Sequence, residues 1–228
     1  MVSSGAPLRL AHRGDWRRAP ENTMAALLAA LRVPGCDGLE FDVQLASDGT
    51  PILLHDDTLQ RVQGRPERAA DLTADALAGL GVPSLAAVLA AVPRTAFLDI
   101  ELKGEQELAA VEVIAASRSA GRLLSRAVVS SYEAENLEAL ASVQSGWARW
   151  LNVADLEPAS IAVAVELGCA GVSADWRAID PGSAARVAAA GLDLAAWTAR
   201  RTSTYRRLAG LGVVAICAEA AALDRGAG

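Results

Sequence analysis

The sequence predicts an α/β fold, a (β/α)8 barrel, on three observations. Short β-type runs alternate with Ala-rich helical stretches along the full length. Eight of these runs are spaced as barrel strands. Charged residues gather at the C-terminal ends of the early runs, the rim where barrels keep their chemistry. A length of 228 residues suits one large domain covering 1–228. Hydrophobic residues make up 52% of the chain but aromatics only 4%, so the core must be built mostly from Ala, Leu and Val.

Strands are expected at 8–12, 38–45, 96–102, 127–132, 148–153, 170–175, 193–199 and 213–218. Helices at 23–32, 105–119, 133–143, 158–167, 181–190 and 202–209 lie between them, as parallel neighbours require. A ninth run, 51–54, follows the second strand too closely for a crossover helix. It reads as a β-hairpin extension after strand two, turning at Ser47-Asp48-Gly49-Thr50. A turn centred on Asp48-Gly49 places Asp42 opposite His55, to within about one residue of register. Residues 56–93, punctuated by Gly64, Pro66, Gly79, Gly81 and Pro83, read as a short helical insertion between strands two and three. Its helices are expected at 71–80 and 84–91, walling one side of the barrel mouth.

Composition excludes several classes. Lys plus Arg number 21 against 27 Asp plus Glu, a net charge of −6, which argues against a nucleic-acid partner. Cys36, Cys169 and Cys217 have no CxxC spacing and read as reduced, mostly buried thiols. No run approaches the roughly 18 apolar residues of a membrane span. Residues 1–7 lack the basic and apolar regions of a signal peptide, so a cytoplasmic location is expected. The sequence leaves the oligomeric state open.

The chain has only two histidines, and each stands where an apolar run meets a cluster of charge. His12 and Arg13 end the first strand, and His55 precedes Asp56 and Asp57. Glu40 and Asp42, at i and i+2 on the second strand, share one face; Glu101 and Lys103 repeat that spacing on the third. Unpaired carboxylates in such apolar strands would be costly to bury. Glu40, Asp42 and Glu101 together offer an oxygen-rich site for one divalent cation, Mg²⁺ or Ca²⁺. Arg13 and Lys103 beside that cation point to an anionic ligand, and a phosphate satisfies all three. Two imidazoles, one accepting and one donating a proton, then suit cleavage of a phosphodiester. In Pro20-Glu21-Asn22-Thr23, Asn22 or Thr23 reads as the N-cap of the first helix, and Glu21 as a partner orienting Arg13. Trp197 has two readings, lining the pocket or packing in the core.

The set His12-Arg13-Gly14, Pro20-Glu21-Asn22-Thr23, Glu40-Phe41-Asp42-Val43, Asp48-Gly49, His55-Asp56 and Glu101-Leu102-Lys103 resembles the glycerophosphodiester phosphodiesterase family, motif by motif and in order. The second half is similar more loosely, through Val129-Ser130-Ser131-Tyr132, Ala196-Trp197-Thr198 and the closing strand. The resemblance implies a TIM barrel that hydrolyses glycerophosphodiesters, small-molecule substrates, to sn-glycerol 3-phosphate and an alcohol. It implies His12 and His55 as the acid/base pair and Glu40, Asp42 and Glu101 as metal ligands. Arg13, Lys103 and Trp197 would bind substrate. The chain departs from the pattern late: Ala199-Arg200-Arg201 replaces a small residue and Asn, and Ala218-Glu219 replaces Thr-Asp. The two arginines lead us to expect a preference for acidic headgroups. Two other readings stay open. One is a lysophospholipase D or sphingomyelinase D-like enzyme, which needs an apolar entrance beside strands seven and eight. The other is a catalytically silent phosphate-binding barrel, although no member of the constellation is missing.

Overall fold

A computed structural model describes residues 5–104, 108–119, 126–144 and 146–224. Strand β1 (Leu8–His12) lies between β2 (Gly38–Leu45) and β9 (Ala215–Ala218), parallel to both. From β2 the sheet continues through β4 (Phe97–Leu102), β5 (Ala127–Ser131), β6 (Arg149–Val153), β7 (Gly171–Asp175) and β8 (Asp193–Ala199) back to β9. These parallel strands close a TIM barrel. β3 (Pro51–Leu53) stays outside the ring as the antiparallel partner of β2.

The crossover helices are α1 (Met24–Ala30), α4 (Leu85–Ala91), α5 (Ala109–Ser119), α6 (Ala134–Val143), α7 (Pro158–Glu166), α8 (Pro181–Ala189) and α9 (Thr202–Ala209). Small α2 (Gln60–Gln63) and α3 (Ala74–Ala78) belong to the insertion. Of the helix expected at 105–119, residues 105–107 lie outside the described residues. The helix expected at 71–80 shrinks to α3, because Leu72 is extended and the Thr73 side chain caps the first turn.

Alternation along the strands separates two cores. Outward-facing Leu39, Phe41, Val43, Leu98, Ile100 and Leu102 pack under the helices. Inside, Leu10, Val128, Trp150, Ala195, Ala215 and Cys217 fill one end of the barrel, where Phe97 stacks on Trp150 with ring centroids 6.2 Å apart. A third cluster joins hairpin to insertion through Ile52, Leu54, Leu59, Ala69, Leu77 and Val82.

The hairpin corrects one expectation. Val43 pairs with Leu53 and Leu45 with Pro51, and the Leu54 N–H donates to the Asp42 carbonyl at 3.2 Å. Leu54, not His55, is therefore opposite Asp42. The cause is the turn: Ala46 N–H donates to Thr50 O, leaving a three-residue loop centred on Asp48, with Gly49 at φ +76°. The ladder has ended by His55, and the Gln44 side-chain amide lies 2.9 to 3.1 Å from the carbonyls of Leu54, His55 and Asp56. His55 thus leaves the hairpin on a pinned loop.

Where β2 meets β4, a Cβ at Gly38 would lie 2.1 Å from the Phe97 carbonyl oxygen. Gly38→Ala must therefore part the two strands that carry the carboxylates. We expect a loss of about 3 kcal/mol, read as a lower urea midpoint at unchanged m value. A midpoint equal to the parent's would refute this close-packing account.

Candidate active site

The sheet register brings three acids to one rim. Glu40 pairs across β2 with His12 and Asp99, and Asp42 pairs with Glu101. One oxygen from each of Glu40, Asp42 and Glu101 lies within 4.8 Å of the others. Glu40 and Asp42 are buried. Burying even one such charge costs several kcal/mol unless it is compensated.

The compensation comes from side chains that the loops turn inward. Arg13, at φ +59°, holds its Nε 3.0 Å from Asp42 Oδ2, and its backbone N–H donates to Glu40 Oε2 at 3.2 Å. Lys103 Nζ lies 3.2 Å from Glu101 Oε1 and 3.8 Å from Asp42 Oδ1. Asn22, at φ +56°, donates its amide to Asp42 Oδ2 at 2.8 Å. Thr23, not Asn22, caps α1. Glu21 accepts from Arg13 at 3.0 Å, as expected. Yet Glu40 Oε1 and Asp42 Oδ1 remain buried without a hydrogen-bond donor. An all-oxygen donor set with two such atoms fits a hard divalent cation.

The same crowding sets the proton affinities. Burial, then the neighbouring Asp42 and Glu101 carboxylates, raise Glu40 well above the usual range. Burial and Asp42 push Glu101 up to about 7. Burial works against the Lys103 ammonium, but Glu101 and Asp42 outweigh it and raise its pKa. Burial pushes Asp99, which accepts from Ser130 Oγ at 2.6 Å, to about 7.

The two histidines flank this cluster. His12 Nε2 is 3.7 Å from Glu40 Oε2, and its Nδ1 lies 2.5 Å from Glu219 Oε1 at the end of β9. His55 Nδ1 is 2.6 Å from Asp56 Oδ1, and burial lowers its pKa. Asp56 in turn accepts from Arg61 Nε at 2.6 Å, and Arg61 reaches Glu21 at 2.7 Å. A chain of polar contacts therefore runs from His55 through Asp56, Arg61 and Glu21 to Arg13, its last three links ion pairs. A cleft of about 90 Å³ is lined by both histidines with Arg13, Glu40, Glu101, Lys103, Tyr132 and Trp197. A roomier groove of about 310 Å³, lined by residues such as Leu89, Val92 and Val113, has none of this chemistry.

The eight expected site residues, His12, Arg13, Glu40, Asp42, His55, Glu101, Lys103 and Trp197, meet at this cleft or in its carboxylate floor. Trp197 lines it and meets the Tyr132 ring edge-on, centroids 6.1 Å apart. Glu219, Asn22 and Arg61 were not assigned these contacts from sequence. Their partners are distant in the chain, and only Asn22 and Glu219 stood in motifs that drew attention. The two late departures meet: Arg200 Nε donates to Glu219 Oε2 at 2.7 Å. The expected preference for acidic headgroups therefore does not rest on an unengaged guanidinium at Arg200.

Known proteins resemble this chain in sequence and in fold. The model of the glycerophosphoryl diester phosphodiesterase family matches residues 12–222. A glycerophosphodiester phosphodiesterase of Caldanaerobacter subterraneus is 50% identical over 54 residues, 24% of this chain and 22% of that protein. Glycerophosphodiester phosphodiesterase 1 of Rattus norvegicus is 45% identical over 64 residues, 28% of this chain and 19% of its own length. Each match thus spans about a fifth of the relative. An Oleispira antarctica phosphodiesterase, solved in complex with the product sn-glycerol-3-phosphate, superposes with a TM-score of 0.81 at 26% identity, covering 93% of both chains.

Stability is expected to depend on pH through the raised acids, and on a divalent cation if they hold one. The folded state holds the Glu101 proton more tightly than the unfolded chain. That contribution is complete below about pH 4 and lost as pH rises through about 7. In EDTA, the melting temperature of Glu101→Gln should fall less than the parent's over that rise. At about pH 8, Mg²⁺ or Ca²⁺ should raise the parent's melting temperature more than the variant's. Equal responses by both proteins would contradict the assignment.

Proposed function

The chain belongs to the glycerophosphoryl diester phosphodiesterase family, and we propose that it is a phosphodiester hydrolase cleaving glycerophosphodiesters to sn-glycerol 3-phosphate and an alcohol. The observation that carries this reading is the placing of His12 and His55 in one cleft over Glu40, Asp42 and Glu101. The bound sn-glycerol-3-phosphate of the Oleispira antarctica enzyme supports the same substrate class.

Arg13 and Lys103 bind the phosphate. Both are cations anchored by carboxylates, so their donors are oriented before substrate arrives. A divalent cation held by Glu40, Asp42 and Glu101 would supply Lewis-acid polarisation of the phosphate oxygens. One histidine removes the proton from the attacking oxygen, of water or of the glycerol 2-hydroxyl. The other delivers a proton to the departing alkoxide. Burial lowers the His55 pKa, and Asp56 orients the ring through Nδ1. Trp197 and Tyr132 supply an aromatic wall of the cleft.

The lysolipid reading needs an apolar entrance beside the last two barrel strands. Among the described residues, the exposed large apolar side chains are Trp16, Leu108, Tyr132, Val143, Val163 and Val165. None lies in the loops after β8 or β9, so nothing there favours that substrate.

Glycerophosphocholine with Mg²⁺ or Ca²⁺ tests the proposal. We expect turnover that EDTA abolishes, and losses of about 10²–10⁴-fold in His12→Ala and His55→Ala. Phosphorus NMR of early products distinguishes direct hydrolysis from a cyclic phosphate. Absence of turnover on any glycerophosphodiester would sink the reading.

A further inference from the structure

Glu219 is an unusual group for its place. It is only 6% exposed, at the C-terminal end of β9, where burial alone would favour the neutral acid. Its two oxygens are divided between two partners. Oε1 faces His12 Nδ1 at 2.5 Å, and Oε2 accepts from Arg200 Nε at 2.7 Å. Burial opposes ionisation, but the bonds to His12 and Arg200 outweigh it and hold its pKa below the usual range. The backbone keeps this arrangement in register, since the Glu219 N–H donates to the Ala199 carbonyl at 2.9 Å. Glu219 and Arg200 therefore sit at adjoining strand ends, and β1, bearing His12, pairs with β9 on its other edge.

We propose that Glu219 is the positioning residue for His12, and that Arg200 holds Glu219 in that geometry. A carboxylate at Nδ1 accepts a hydrogen bond from Nδ1–H, which leaves the neutral ring with its lone pair on Nε2. That nitrogen faces Glu40 and the cleft. His55 is oriented in the same way by Asp56, its immediate neighbour. His12 takes its carboxylate from 207 residues away, and Arg200 holds that acid as Arg61 holds Asp56. The two exchanges relative to the family pattern, Arg200 and Glu219, thus act as one unit. The inference rests on the proposed role of His12 in phosphodiester cleavage.

A simple staple between strand ends would give a different result from a positioning pair, and kinetics separate them. With glycerophosphocholine and Mg²⁺, Glu219→Ala should lower kcat by about 10–100-fold, with KM changed by less than about 3-fold. The same substitution in a His12→Ala background should cost nothing further. Arg200→Ala should lose about 3–10-fold, and nothing in the Glu219→Ala background. Glu219→Gln provides a variant that preserves size. Its expected kcat lies between those of the parent and Glu219→Ala.

A second readout needs no turnover. With two histidines in the chain, His55→Gln leaves one imidazole to observe. Nitrogen NMR of that variant at about pH 8 should show the Nδ1–H tautomer of His12, which Glu219→Ala should shift toward Nε2–H. An unchanged kcat in Glu219→Ala and Glu219→Gln, additive losses with His12→Ala, or an Nε2–H ring in the presence of Glu219 would overturn the inference. Failure of the parent to cleave any glycerophosphodiester would instead overturn the functional reading. The tautomer would still report on Glu219.

Discussion

Three carboxylates at the mouth of one barrel are the constraint around which this molecule is arranged. Glu40, Asp42 and Glu101 repel one another at close range in a poorly hydrated rim. Two oddities of the backbone answer that problem. Arg13 and Asn22 take left-handed conformations, and their side chains reach Asp42. Lys103 lies between Glu101 and Asp42 rather than in solvent. Two acceptor atoms are still left over, and that remainder is what a hard cation would complete. A site that must hold like charges together is thereby prepared to grip an anion, because its own cations are already aimed.

The hairpin and insertion serve the same rim from outside the ring. β2 is longer than its neighbours and takes β1 at its start and β3 at its end. The insertion then builds a small core with Ile52 and Leu54, on either side of which the chain is fixed. His55 follows Leu54 directly, so packing of the insertion holds the loop that carries the ring. Arg61, from the insertion, ties Asp56 to Glu21 and so to Arg13. The two sides of the cleft are joined by charge as well as by backbone.

Much of this was legible beforehand. The alternation of runs predicted the barrel, because parallel strands need crossovers and their spacing is local. The i, i+2 acids on β2 and the Glu101-Lys103 pair were visible because a strand's alternation is set by the backbone alone. The hairpin register missed by one residue. A loop of three residues with a left-handed Gly49 differs from the even loop centred on Asp48-Gly49, and only the hydrogen bond from Ala46 to Thr50 shows which forms. The helix at 71–80 shortened because Leu72 is extended and the Thr73 side chain caps the turn that follows.

The sequence by itself determined the strand order of the barrel, its charged rim and the residue types there, since all follow from short-range periodicity. The tertiary structure alone decided which charges meet. Glu219 reaches His12 only when the ring closes, and Arg200 reaches Glu219 only because β8 and β9 adjoin. No local pattern encodes a contact across 207 residues; closure of the sheet creates it.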